Sequence, residues 1–142
     1  MSGRPPWNEL AEVRSGELVI RLIRPDAYVA TARPGSRVQP AALPTNERTP
    51  SATSYGASAF VKSLLRGGTA DLLAANPKWV AFLQAEVLVE HIRALGIDVR
   101  LSPQDCEFDR VRDAHASLIN VDRPRRNQLI RLLEQNLVAA GE

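Results

Sequence analysis

The stretch PKWVAFLQAEVLVEHIRALG, Pro77 to Gly96, decides how the rest of the chain is read. Its ends carry helix punctuation. Asn76 suits an N-cap, Pro77 suits the first helical position, and Gly96 suits the left-handed residue that closes a helix. At about 100° per residue, Val80, Leu83, Val87, Leu88, Ile92 and Leu95 fill one broad arc, with Lys78, Glu86, Glu90 and Arg93 opposite. The spacing predicts one long helix over residues 77–95. Trp79, Phe82 and Val89 fall nearer its polar side, so the helix is apolar most of the way round and predicts contacts on two sides. Either Trp7 and the N-terminal arm cover Trp79, Phe82 and Val89, or another subunit does.

Strand patterns lie on both sides of this stretch. In ELVIRLIRP, Glu17 to Pro25, Val19, Arg21 and Ile23 share one face while Leu18, Ile20, Leu22 and Arg24 share the other. Apolar residues on both faces predict a central strand, and Pro25 stops it. IDVRLSP (Ile97 to Pro103) and AHASLINV (Ala114 to Val121) read as further strands. Tyr55 to Leu65 is open: Ala59, Val61 and Ser63 alternate as in a strand, yet Phe60, Leu64 and Leu65 are spaced as in a helix. TADLLAANP reads as a short helix with Thr69 as N-cap. A terminal helix over 123–139 is capped by Asp122 and carries a stripe of Leu129, Ile130, Leu133 and Leu137. The expected architecture is α+β: a flexible arm over residues 1–16, then a single domain over 17–142. In that domain a mixed sheet of about four strands is packed by two long helices, 77–95 and 123–139. Between Tyr28 and Tyr55, Pro34, Pro40, Pro44 and Pro50 recur; a connection this long marks a functional or mobile loop.

Bulk properties narrow the function classes. The chain has 142 residues, 44% hydrophobic and 24% charged, which fits one globular domain with a real core. The formal net charge is only +2, below the clear basic excess or clustered patch of a dedicated nucleic-acid binder. Lys62 and Lys78 are the only lysines against 16 arginines, as arginine-rich codon usage in a GC-rich genome would produce. The single cysteine, Cys106, cannot close an intrachain disulfide, which fits a reducing compartment. The N-terminal residues lack the apolar core of a signal peptide, and no run approaches the roughly 18 apolar residues of a membrane span. A cytoplasmic protein without a membrane association is expected.

Several polar positions are candidates for chemistry. Arg123, Arg125 and Arg126 crowd the start of the last helix, where free backbone N–H groups also favour an anion. Pairing with the acidic segment DCEFDRVRD or plain solvation, an acidic protein partner, and nucleic acid are the three readings, in that order. Asp113, His115 and Ser117 would line up on one face of a strand, but strand neighbours two apart are too distant for a Ser–His–Asp relay, and no GxSxG elbow is present. His91 falls in the apolar arc of the 77–95 helix with Gln84 two turns earlier, which predicts a buried histidine that bonds loop backbone or faces a cleft under the Pro-rich loop. Cys106 lies among acids that disfavour its thiolate. No CxxC, HExxH, GxGxxG or GxxxxGK[ST] occurs, so no metal and no cofactor is expected.

The order of LVIRLIRP, a Pro-rich middle, VRLSP, and HASLI before a terminal helix resembles that of short uncharacterised bacterial proteins with an LxRxIxP-like early strand and a late HAxL/I strand. The resemblance implies a stand-alone bacterial accessory protein and transfers no catalytic residue. The leading expectation is a non-catalytic protein-binding or accessory module, of an immunity type, that engages a protein partner or itself through the Pro-rich loop and the exposed edge of the 77–95 helix with Trp79 and Phe82. The alternative is a small enzyme or ligand-binding domain with a cleft near His91, His115 and Asp113, covered by the Pro-rich loop. Nucleic-acid binding through Arg123, Arg125 and Arg126 ranks third.

Overall fold

The structure is a computed structural model and describes residues 6–24, 28–30, 36–38 and 57–138. Strand β1 (Leu18–Ile23) is apolar on both faces, as its sequence predicts, and it pairs on both edges. On one edge lies β4 (Ala57–Val61), with Val19 opposite Val61 and Ile20 opposite Phe60. This resolves the open stretch as a strand over Ala57–Val61 that runs into a 3-10 turn at Lys62–Leu64. On the other edge lies β5 (Leu83–Leu88), in register from Leu18 opposite Leu88 to Ile23 opposite Leu83.

That second partner overturns the long helix. Residues 77–96 form three pieces: a 3-10 turn at Pro77–Ala81, strand β5, and a short helix α2 (Val89–Arg93). Both end signals are genuine. Asn76 Oδ1 accepts from the Lys78 N–H at 3.1 Å, and Gly96 has φ +87°. They bracket two separate helical turns, however, not one rod. Between them, Ala85 and Val87 are buried while Gln84, Glu86 and Leu88 alternate with them on the other face. The helical arc arises because Leu83 and Val87 are four apart as well as an even number apart. Local spacing allowed both readings, and the unpaired edge of β1 decided between them, because a buried strand must bond its backbone on both sides.

The sheet is completed by β6 (Asp98–Leu101), β7 (His115–Ile119) and the two-residue β8 (Leu137–Val138). Its order is β6-β7-β4-β1-β5-β8, an open six-stranded sheet, and every pairing is antiparallel. The expected mixed sheet of four strands under two long helices is therefore wrong in strand count, strand direction and helix count. Among the described residues one helix of seven or more residues is present, α3 (Arg123–Gln135). A separate ribbon pairs β2 (Tyr28–Ala30) with β3 (Ser36–Val38); the rest of the Pro-rich stretch lies outside the described residues.

The two faces of the sheet differ. One packs an apolar core: Val19, Ile23, Ala59, Val61, Val87, Val99 and Leu118 meet Val89 and Ile92 of α2 and Leu129 and Leu133 of α3. The other carries Ile20, Phe60, His115 and Ser117 and lies under short turns and the small helix α1 (Ala70–Ala75), through Leu65, Leu72, Val111 and Ala114. The described part of the N-terminal arm runs along β6. Leu10 and Val13 are buried, Leu101 N–H donates to Ala11 O at 2.8 Å, and Arg100 reaches Leu10 O and the Glu12 carboxylate. The tether expected of the Trp7 side chain lies outside what is described. Burial alone would raise the Asp98 carboxyl, but hydrogen bonds from Arg100, the Val99 N–H and Arg93 hold it below its ordinary range. No helix among the described residues is long and apolar enough to cross a membrane.

Candidate functional site

The pairing of β1 with β4 stops at Ile20 and Phe60, and beyond that point the two strands diverge. A cleft of about 560 Å³ opens there, on the face covered by short turns. Arg21, Leu22 and Arg24 come from the end of β1, and Ser58 and Phe60 from β4. Trp79 and Phe82 come from the turn before β5. The segment Asp105–Phe108, after β6, forms the opposite wall. His115, the first residue of β7, completes the lining.

The aromatic part is built by edge contacts. Trp79 stands 5.0 Å from Phe108 and 5.8 Å from Phe60, ring centre to ring centre, and the His115 ring lies edge-on to Phe60 at 5.5 Å. Such pairs favour edge-to-face or offset arrangements over a face-to-face sandwich. Trp79 and Phe82 are thus half-buried in a cleft wall rather than displayed on a rod.

His115 is held at both ring nitrogens. Nδ1 lies 2.9 Å from the backbone O of Ser102 and 3.1 Å from Ser102 Oγ; Nε2 lies 3.1 Å from Ser58 Oγ. A carbonyl oxygen only accepts, so Nδ1 carries the proton and Nε2 presents its lone pair. Ser58 then donates to Nε2. Ser102 Oγ also meets Ser117 Oγ at 2.7 Å, which satisfies two buried hydroxyls together. Burial pushes the His115 pKa below the ordinary imidazole range, against the Ser102 carbonyl bond and the Asp105 charge, which favour the cation. The ring is therefore neutral at pH 7.

Arg21 donates from Nη1 to Ser58 O at 2.7 Å, which sets its guanidinium beside Ser58. Its Nε is closed off from solvent. Burial and the positive charge of Arg24 lower its pKa to about 10, so it is still a cation at neutral pH. Burial pushes the Cys106 thiol up, helped by Glu107 and Asp109. Cys106 Sγ contacts Phe108 O at 3.5 Å and is a packing group, not a thiolate.

Comparison with protein-family models, with curated proteins and with solved structures gives no match.

The sequence expectation of one pocket shared by His91, His115 and Asp113 does not hold. His91 is exposed on α2, because the rod that would have buried it does not exist. Asp113 belongs to a 3-10 segment, Asp109–Ala114, not to the strand. It lines a second, smaller cleft with Asp71 and Arg110. Only His115 reaches the main cleft. The arginine cluster also separates. Arg125 turns back on the helix cap: its N–H donates to Asp122 Oδ1 at 3.0 Å and its Nη1 to Oδ2 at 3.1 Å. Arg123 is exposed, and the buried Nε of Arg126 has no hydrogen-bond partner among the described residues. Within the acidic segment, Asp109 pairs with Arg112, not with these arginines. Among the described residues no group of three or more His, Cys, Asp or Glu is placed to hold a metal.

Ser58, Ser102 and Arg21 were not singled out from the sequence. Arg21 carried a visible signal, a charge in the middle of an otherwise apolar strand. Ser58 and Ser102 carried none, since their meeting with His115 follows from the pairing of β4, β6 and β7.

Proposed function

We propose that the protein binds a small organic ligand in the cleft between the end of β1 and the Asp105–Phe108 wall. The observation that supports this most is a single concavity joining Phe60, Trp79, Phe82 and Phe108 to two arginines and a neutral histidine. Ligand sites combine apolar walls with converging polar groups, and this cleft divides its lining about equally between the two. An aromatic or aliphatic body would lie against Trp79 and Phe108, and a carboxylate or carbonyl oxygen would face Arg21. Asp105 and Glu107 on the opposite wall suit a donor group at the ligand's other end. The protein-docking reading of Trp79 and Phe82 has less support, since both side chains help wall this cleft and Trp79 is engaged by Phe60 and Phe108.

Backbone amide NMR with benzoate, indole and benzylamine as probes tests the reading. Benzoate is expected to shift the amides of Ser58, Cys106, Phe108 and His115 at millimolar concentration, and to exceed benzylamine, which presents a cation to Arg21. Shifts scattered over the surface, or none, would refute a cleft ligand; a preference for benzylamine would refute the role given to the arginines.

A further inference from the structure

We propose that Ser58 and His115 are a nucleophile–base pair that hydrolyses small carboxylic esters in this cleft, a step that rests on the ligand-binding reading above. Three placements carry it. Ser58 Oγ is 3.1 Å from His115 Nε2, inside the range for proton transfer. The other ring nitrogen is fixed by the Ser102 backbone carbonyl at 2.9 Å, which leaves the lone pair on the nitrogen that faces Ser58. Ser58 itself is exposed and lines the cleft, whereas His115 and Ser102 are buried behind it. A serine that served only to satisfy a core histidine would need no access to solvent. The nucleophile is reachable, the base is oriented, and a third group orients the base, which is the logic of a catalytic triad with a backbone carbonyl in the carboxylate's place.

The step balances without any redox partner. Ser58 Oγ attacks the ester carbonyl carbon while its proton passes to His115 Nε2. The carbonyl π electrons move onto oxygen, where the Arg21 guanidinium on the same wall offsets the charge. The intermediate collapses, the bond to the alcohol oxygen breaks, and His115 returns the proton to that oxygen. Water then attacks the acyl-serine, giving its proton to Nε2, and Ser58 leaves with that proton as the carboxylic acid is released. The aromatic walls favour an aryl or short acyl group on the acid side.

The test is covalent labelling with a fluorophosphonate, read by intact mass and peptide mapping. Wild type is expected to gain one adduct, at Ser58, while exposed Ser63, whose hydroxyl donates to the Glu17 carboxylate, stays unlabelled as an internal control. Ser58→Ala should lose the adduct, and His115→Gln should slow it by at least about 100-fold. The wild-type rate should also fall as pH drops below the ordinary histidine range, a readout that does not depend on any variant folding. Equal labelling of Ser58 and Ser63, no adduct at all, or a rate indifferent to both pH and His115→Gln would overturn the proposal. Benzoate shifts at the cleft amides with an inert Ser58 would sink the nucleophile alone; loss of both would sink the ligand-binding reading with it.

Discussion

Val80 and Val89 provide the sharpest test of the architecture, because the two ways of folding residues 77–95 give them opposite fates. On a continuous helix, Val80 belongs to the buried arc and Val89 lies nearer the polar side. In the structure Val80 is 68% exposed and Val89 is 0% exposed, at the start of α2 against the core under α3. The same truncation to alanine therefore separates them. At Val89 it removes two buried methylene equivalents, about 1.6 kcal/mol of transfer free energy. The void left in a close-packed core adds up to about 1 kcal/mol. Alanine's better helix propensity returns about 0.5 kcal/mol, which leaves a cost near 2 kcal/mol. With a urea slope of about 2 kcal/mol per molar, Val89→Ala should lower the unfolding midpoint by roughly 1 M. Val80→Ala should move it by less than about 0.25 M, as for a surface change within about 0.5 kcal/mol. Urea titrations followed by circular dichroism measure both. Equal costs, or a larger cost at Val80, would refute the strand at 83–88 and restore the rod.

Two further outcomes follow from local geometry. The His115 pKa is lowered in the folded protein, so the unfolded chain binds the extra proton first as pH falls. The associated stability is complete above the ordinary value of 6.5 and is lost as pH falls through the folded value, with a slope of at most about 1.4 kcal/mol per pH unit. Urea midpoints measured between pH 7.5 and 5 should show that slope in wild type and a flatter profile in His115→Gln; parallel profiles would exclude His115 as its source. Gly96→Ala should destabilise by about 1–2 kcal/mol, because φ there is +87° and the new methyl would meet Arg125 Nε at 2.8 Å. A thermal melt that loses several degrees supports this, and an unchanged melt refutes the left-handed assignment.

How much of this was legible in the residues depended on whether the deciding contact was local. β1, β6, β7 and the start of α3 could be read because each announces itself within its own span, by two-faced apolar alternation or by the Asp122 cap, but the helix expected over 123–139 ends at Gln135, and Leu137 belongs to β8 instead of its apolar stripe. The 83–88 strand could not, because Leu83 and Val87 satisfy both periodicities and only the distant edge of β1 chooses between them. The candidate site was half legible. Trp79, Phe82 and His115 were picked out as residue types that do something, and each lines the cleft. Their grouping was misjudged, since His91 was added on the strength of a continuous 77–95 helix that does not form, and Asp113 on the strength of a strand that does not reach it. Ser58 was out of reach: its partner lies 57 residues away in sequence and meets it only through the β4–β7 register.

The central position of β1 also sets the order in which the molecule can be completed on a ribosome. As the first strand of this sheet in chain order, β1 needs a neighbour that ends at Val61 on one side and one that ends at Leu88 on the other. At roughly 5–20 residues per second, a ribbon that is greasy on both surfaces waits several seconds for its second neighbour. Maturation is therefore gated by the arrival of residues 83–88, and a nascent chain halted before them would carry a naked seam that other chains, or a chaperone, can occupy.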